Sequence, residues 1–158
     1  AEVQLNEIVK RIKTMGDEGK RITDTDLMAV ADAVLAIKCK PLIKMRQFTA
    51  TSGSHMIPTA SVTLEVNGVE MTGAATGDGP VDAAMAVLRK CVADVADIHL
   101  EEYHVDAIRG GTDALVDVTV RLSKDGKIIT SRGARTDIIM ASVEAMIAGM
   151  NRLLEERT

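Results

Sequence analysis

The stretch from Gly77 to Asp82, which reads Gly-Asp-Gly-Pro-Val-Asp, is the part of the sequence best suited to bind a small charged ligand. Glycine permits backbone angles that other residues resist, and Pro80 fits the first position of a helix, where its missing N–H costs nothing. Free N–H groups at a helix start favour an anion such as a carboxylate, while Asp78 or Asp82 could hold an ammonium group. Beside an apolar wall, this combination suits a free aliphatic amino acid.

A plainer interpretation of the same stretch is a capped helix start after a tight turn. Aspartate is a common capping residue, so spacing alone favours this interpretation. The stretch does not favour a nucleotide fingerprint, because it has one short G-x-G, no third glycine and no β-α-β context. Tyr103, the single tyrosine, either packs on a sheet or forms one wall of a ligand pocket. Before the last predicted helix, Thr136 is expected to be the cap.

Composition and charge argue against a nucleic-acid-binding protein. The 158 residues carry a net charge of -4, which disfavours a large phosphate-binding surface. One Phe, one Tyr and no Trp leave almost no rings on which bases could stack. The core must therefore be aliphatic, built from Val, Ile, Leu, Ala and nine Met.

No catalytic or metal-binding constellation stands out. His55, His99 and His104 lack the spacing of a metal site, and there is no Ser/His/Asp or Cys/His arrangement, so we expect no cofactor. Cys39 and Cys91 form neither a C-x-x-C pair nor a disulfide framework. The sequence also shows no signal peptide and no apolar run near the ~20 residues of a membrane span. These features predict a cytoplasmic protein that does not enter membranes.

The first forty residues are predicted to form two helices. A capping box at Thr23 and Asp26 begins the second helix, and Lys40-Pro41 ends it. In the first helix, apolar residues recur at helical spacing, namely Leu5, Ile8, Val9, Ile12 and Met15.

After Pro41 the apolar period changes to two, which predicts strands. Asn67-Gly68 and Asp125-Gly126 are strong hairpin signals, and Gly110-Gly111 marks another turn. A phase slip near Glu101 and Glu102 predicts a β-bulge. The predicted strands cover about 42–51, 59–66, 69–75, 98–108, 116–122 and 127–134, and a helix follows the third and the sixth of them.

The two halves of this region align as a duplicated β-β-β-α unit. Val62 is aligned with Val118 on the second strand, and Asp82 with Asp137 at the helix. We therefore predict an α+β fold, with a helical pair in residues 1–40 and a duplicated domain in 41–158, whose repeats cover about 41–96 and 97–158. Because one helix covers only part of a sheet face, the units must pack together, and we expect a homodimer.

Four motifs in this order resemble a known family. They are Ile57-Pro58-Thr59-Ala60, Gly77-x-Gly79-Pro80-Val81-Asp82-Ala83, Gly110-Gly111-Thr112-Asp113-Ala114 and Asp137-Ile138-Ile139-Met140-Ala141-Ser142. Together they resemble the C-terminal regulatory (LeuA allosteric/dimerisation) domain of 2-isopropylmalate synthase and of its relative citramalate synthase. The similarity covers about Pro41 to Leu154, and residues 1–40 resemble the helical subdomain that joins this domain to a catalytic barrel.

The resemblance implies a regulatory role. In the family, a TIM-barrel domain condenses acetyl-CoA with a 2-oxo acid using a divalent metal, and the regulatory domain dimerises and binds leucine or isoleucine as a feedback inhibitor. Similarity to the isopropylmalate enzymes favours leucine, with the isoleucine-binding domain of citramalate synthase and a ligand-free structural dimer as alternatives. Because the barrel is absent from these 158 residues, the chain alone, whether a fragment or a standalone module, is expected to have no enzymatic activity and to serve a catalytic TIM-barrel partner.

The resemblance also implies a set of effector-binding residues. The ligand carboxylate would accept N–H bonds at the loop or helix start, and Asp82 or Asp78 would hold the ammonium group. Tyr103, Leu100 and Ile138 would line the pocket for the ligand side chain. The complete predicted set is Gly77, Asp78, Gly79, Pro80, Val81, Asp82, Ala83, Ala84, Leu100, Tyr103, Asp137 and Ile138.

Overall fold

The structure, a computed structural model, describes residues 2–17, 22, 27, 28, 30, 31, 33, 34, 41–107 and 114–154. The chain divides into two compact units, Ala1–Lys40 and Pro41–Thr158. The first unit begins with helix α1, Glu2–Asp17, as predicted. The capping box expected at Thr23 and the turn expected at Gly110-Gly111 lie outside the described residues.

The second unit consists of two antiparallel three-stranded sheets, each followed by a helix. The strand orders are β1-β2-β3 and β4-β5-β6, which confirms the predicted fold of two β-β-β-α units. In chain order the elements are β1 Ile43–Thr51, β2 Thr59–Val66, β3 Val69–Thr76, α2 Pro80–Val92, β4 His99–Ala107, β5 Val116–Lys124, β6 Lys127–Arg135 and α3 Ile138–Leu154.

One aliphatic core joins the two β-β-β-α repeats within the second unit. Helix α2 lies over β2 and β3, helix α3 lies over β5 and β6, and the two helices also contact each other. Side chains on β2 and β5 alternate between the core and the polar outer face, so that Leu64 and Leu122 are fully buried. Burial of one such side chain contributes roughly 1.5–3 kcal/mol.

The first strand of each sheet is only partly covered by the helices. On the helix-facing side of β1, Met45 and Phe48 are half-buried. On the same side of β4, Leu100 is half-buried and Tyr103 is exposed. Among the described elements, the backbone of β4 approaches only β5. Each helix therefore leaves one of its three strands partly open.

The structure corrects the register of the duplication. Tight turns at Asn67-Gly68 and Asp125-Gly126 both have positive φ at their two central residues, as a type I′ turn requires. With these turns superposed in sequence, Val62 corresponds to Val120, and the predicted alignment with Val118 is wrong. Shifting the alignment of the two repeats by two residues keeps every strand side chain on the same face. The apolar alternation therefore could not determine which residues of the two repeats are equivalent.

The same correspondence holds along the helices. Position 79 corresponds to 137, so the predicted alignment of Asp82 with Asp137 is wrong as well. Buried residues fall at equivalent positions throughout: Ala83, Ala84, Met85, Val87, Leu88, Cys91 and Val92 in α2 match Ala141, Ser142, Val143, Ala145, Met146, Gly149 and Met150 in α3.

A side-chain amide ties the first strand to the last helix. The Ile43 N–H donates to Asn151 Oδ1 at 2.8 Å, and Asn151 Nδ2 donates to the Ile43 carbonyl at 3.0 Å. Asn151 thus satisfies both backbone groups of Ile43, as a neighbouring strand would. These two bonds connect the first repeat to the second.

Helix α3 approaches β6 most closely at Gly133. A Cβ placed there would collide with the Ala141 carbonyl oxygen and lie 2.8 Å from Ala145 N. Because these are backbone atoms, the helix would have to move away from the sheet. The glycine therefore sets the helix–sheet distance in the second repeat.

We predict that Gly133→Ala lowers the free energy of unfolding by about 1–3 kcal/mol, the usual cost of overpacking a core. Urea denaturation measures this change. The control is Ala134→Ser on the exposed neighbouring position, which should stay within about 0.5 kcal/mol of the parent. Equal stability of Gly133→Ala and the parent would contradict the close approach of α3.

Candidate functional site

The start of α2 carries the first group of predicted site residues. Gly79, in extended conformation with φ −150, precedes the helix, and Pro80 is its first residue, as predicted. No side chain caps this helix start. The Ala83 N–H donates to the Gly79 carbonyl at 2.9 Å, whereas in the described part of the chain the Val81 and Asp82 N–H groups have no hydrogen-bond partner. This helix start is therefore open to an anion.

The loop before α2 is held in place from both sides. Asp82 does not cap the helix; its Oδ2 accepts a hydrogen bond from the Asp78 N–H at 3.0 Å. The Gly77 N–H donates to the Pro58 carbonyl at 3.1 Å. A Cβ at Gly77 would lie 2.6 Å from Asp82 Oδ2, so the loop can pack this tightly only with glycine there.

A β-bulge creates the second group of predicted site residues. The register of β4 against β5 shifts between Leu100 and Glu102, which confirms the bulge predicted from the phase slip. In a regular strand, residues three apart face opposite sides of the sheet. Here Leu100 pairs with Leu122 and Tyr103 with Val120, so both side chains face the helix side. An equivalent shift in β1, between Met45 and Gln47, was not predicted.

The start of α3 differs from that of α2 because it is capped. Asp137 Oδ1 accepts hydrogen bonds from the Ile139 N–H at 2.7 Å and the Met140 N–H at 3.2 Å. Asp137 is therefore the cap, and the prediction for Thr136 is wrong. The two residues are both good caps by type, so sequence alone could not choose between them.

A hydrogen-bonded pair links β4 to the first turns of α3. The Tyr103 hydroxyl lies 2.8 Å from Ser142 Oγ, and Ser142 Oγ donates to the Ile138 carbonyl at 2.6 Å. Ser142 is fully buried, whereas Tyr103 is 37% and Ile138 is 40% exposed. Sequence analysis missed Ser142. The signal was a polar residue at a core position of the helix, visible once the repeats are aligned by their turns.

An ion pair flanks the start of α3. Arg135 Nε donates to Glu144 Oε1 at 2.8 Å. The hydrogen bond from Arg135 to Glu144, followed by the charge of Glu144, raises the pKa of the guanidinium. This ion pair connects the end of β6 to the first turns of α3.

The structure places the predicted residues in two separate groups. Gly77 to Ala84 form the α2 start, and Leu100, Tyr103, Asp137 and Ile138 gather at β4 and the α3 start. Within the described ranges, no hydrogen bond or ion pair joins one group to the other. Both helix starts follow the ends of β3 and β6 that lie away from the hairpin turns.

A large open cleft lies at the opposite, hairpin end of the sheets. Its volume is about 1170 Å³, and it shares no residue with the predicted site. It is lined by Leu42, Val66, Asn67, Val95, Lys124, Lys127, Ile128, Ile129, Arg152, Leu153 and Leu154.

In the described part of the chain, no three His, Cys, Asp or Glu side chains are grouped so that they could hold a metal ion. His99 pairs with Asp97 at 3.2 Å and His104 with Asp106 at 3.1 Å, each on the exposed surface. No described helix combines the length and the apolar character needed to cross a membrane.

We predict that Asp137→Ala lowers the free energy of unfolding by about 1 kcal/mol, because two N–H groups of α3 lose their acceptor. Thermal or urea unfolding measures the loss. Thr136→Ala serves as the control and should stay within about 0.5 kcal/mol of the parent. If Thr136→Ala is the more damaging of the two, Asp137 is not the cap.

The chain matches a family of regulatory domains. Residues 21–154 match the family model described as the LeuA allosteric (dimerisation) domain. This match covers half of the first unit and nearly all of the second, and it includes every predicted site residue.

Several curated proteins are similar to almost the whole chain. Proteins named "Putative (R)-citramalate synthase CimA" from Methanoculleus marisnigri and Methanosphaerula palustris are 69% and 62% identical, over 97% and 98% of this chain. The 2-isopropylmalate synthase of Methanocaldococcus jannaschii is 44% identical over 98% of this chain. The chain spans only 30% or 31% of the length of these relatives. As its sequence motifs indicated, the chain belongs to the LeuA allosteric (dimerisation) domain family.

Proposed function

We propose that this chain is the effector-binding and dimerisation domain of a citramalate or 2-isopropylmalate synthase, and that it binds a branched-chain amino acid as a feedback inhibitor. The observation that carries the proposal is the match to an allosteric domain across residues 21–154. Residues 41–158 would form the effector domain, with repeats of about 41–96 and 97–158, and residues 1–40 would lead to the catalytic barrel.

The relatives bear on which amino acid is bound. Relatives at 51% to 69% identity are named as citramalate synthases, and those at 46% and 44% as 2-isopropylmalate synthases. The family resemblance connects isoleucine to the first enzyme and leucine to the second. This gradient supports isoleucine as the effector. Leucine, which the sequence motifs favoured, is the second candidate.

The two groups of site residues would recognise different parts of the ligand. At the open start of α2, the Val81 and Asp82 N–H groups are available to the ligand carboxylate, and the helix dipole favours a negative charge there. The exposed carboxylates of Asp78 and Asp82 are suited to its ammonium group. Tyr103 and Ile138, both partly exposed, would contact its branched side chain.

We propose that a second copy of the chain covers the partly open strands. The helix-facing sides of β1 and β4 carry apolar residues that α2 and α3 leave half-buried or exposed, such as Phe48 and Leu100. A dimer would remove this apolar surface from water. It would also bring in a second set of site residues. The group at the α2 start and the group at β4 and the α3 start could then contact the same ligand molecule.

In this account the chain contributes regulation, and the condensation of acetyl-CoA with a 2-oxo acid belongs to the catalytic barrel of the parent enzyme. A divalent metal would be bound by that barrel. The ligand of this domain is the amino acid alone. Binding here would then inhibit a reaction carried out elsewhere in the enzyme.

Isothermal calorimetry of the chain with L-isoleucine and L-leucine tests the effector proposal. We predict binding of at least one of them, and a loss of affinity of about tenfold or more in Asp82→Ala, Asp78→Ala or Tyr103→Ala. Asp94→Ala removes the same charge from an exposed position that makes no described hydrogen bond, and should bind like the parent.

Two results would contradict this proposal. Binding of neither amino acid at millimolar concentration would refute the effector role. Parent-like binding by all three site variants, each shown to be folded, would refute the site.

Sedimentation at micromolar concentration tests the dimer. We predict a mass about twice the 16.9 kDa of one chain, because dimerisation covers the open sides of β1 and β4. A monomer at high concentration would contradict it.

A further inference from the structure

The hydrogen bonds of Ser142 fix the direction of the Tyr103 hydroxyl. A serine hydroxyl has one proton, and that of Ser142 is directed to the Ile138 carbonyl at 2.6 Å. At the 2.8 Å contact between Ser142 Oγ and the Tyr103 oxygen, the proton must therefore come from tyrosine. The phenol thus donates to Ser142, and Ser142 in turn donates to the backbone of α3.

This arrangement determines what Tyr103 presents to a ligand. Its hydroxyl is engaged with a fully buried side chain, while 37% of the residue is exposed. The exposed surface is therefore mainly ring. Together with Ile138, which is 40% exposed at the same helix start, it offers an apolar wall in a fixed orientation.

The first repeat lacks both halves of this pair. The bulges in β1 and β4 place Phe48 opposite Val62 and Tyr103 opposite Val120, so the only Phe and the only Tyr occupy equivalent positions. Ala84 occupies the position of Ser142 in the other helix. Where the phenol hydroxyl is missing, its acceptor is missing too. This covariation within one chain indicates that the two polar groups serve each other.

We propose that Ser142 is a positioning residue of the effector site. It holds the Tyr103 ring against the start of α3, so that the ring forms a fixed contact surface for the branched side chain of the amino acid. No other described hydrogen bond joins β4 to α3, and the backbone of β4 approaches only β5 among the described elements. This inference rests on the proposed effector function.

Tyr103 provides its own spectroscopic probe, because the chain contains one Tyr and no Trp. Emission excited at wavelengths that phenylalanine does not absorb therefore comes from Tyr103 alone. Acrylamide quenching of this emission in the ligand-free protein measures how firmly the ring is held. Calorimetry with L-isoleucine and L-leucine measures the effect on binding.

We expect Ser142→Ala to increase the quenching of Tyr103 and to weaken binding about threefold to tenfold, the loss of one hydrogen bond. Tyr103→Phe, which keeps the ring and loses the bond, should weaken binding by a similar factor. Ser142→Ala added to Tyr103→Phe should then weaken it no further. Ser131→Ala removes another buried hydroxyl, on β6, and should change neither measurement.

The outcomes separate this proposal from the effector role itself. If the parent binds an amino acid and Ser142→Ala binds it equally well, the positioning role is wrong and the effector role stands. The positioning role is also wrong if Ser142→Ala weakens binding as strongly in the Tyr103→Phe variant as in the parent. If the parent binds neither amino acid, the effector role fails and the positioning role fails with it.

Discussion

Each helix of this domain covers mainly the second and third strands of its three-stranded sheet, and this limit shapes the domain. Helices α2 and α3 bury the second and third strands of their sheets, and they pack against each other to join the two cores. The first strand of each sheet needs other support. β1 is held by the Asn151 amide at Ile43, and β4 by the bond from Tyr103 to Ser142. Because both partners lie on α3, a shift of this helix would affect the first strands of both repeats.

The two repeats have diverged at their helix starts and at the aromatic residue of their first strands. Both repeats share the tight turns, the bulged first strands and the buried helix positions. The start of α2 is open, since Gly79 has no side chain to cap it, whereas Asp137 closes the equivalent start of α3. The aromatic residue that is anchored by a hydrogen bond, Tyr103, lies in the second repeat. In the proposed site, the first repeat would bind the polar end of the amino acid and the second repeat its apolar end.

Much of the fold was predictable because its signals are local. Alternating apolar residues and two turns with Gly at the second position gave all six strands, and the phase slip gave the bulge in β4. The register of the duplication and the cap at Asp137 were missed, because period two tolerates a shift of two residues and adjacent Thr and Asp compete as caps. Ser142 was missed because its role depends on a contact with Tyr103, 39 residues earlier in the chain. The grouping of site residues is likewise a property of packing, which residue types alone do not encode.

The central claim is that the open start of α2 receives the carboxylate of a branched-chain amino acid. The most direct measurement is a set of ¹H–¹⁵N correlation spectra of the chain during titration with L-isoleucine, repeated with L-leucine. We predict that the Val81 and Asp82 amide signals shift the most at saturation and that their hydrogen exchange slows. Shifts that spare these two amides and fall instead on the hairpin-end cleft, around Lys124 and Lys127, would contradict it.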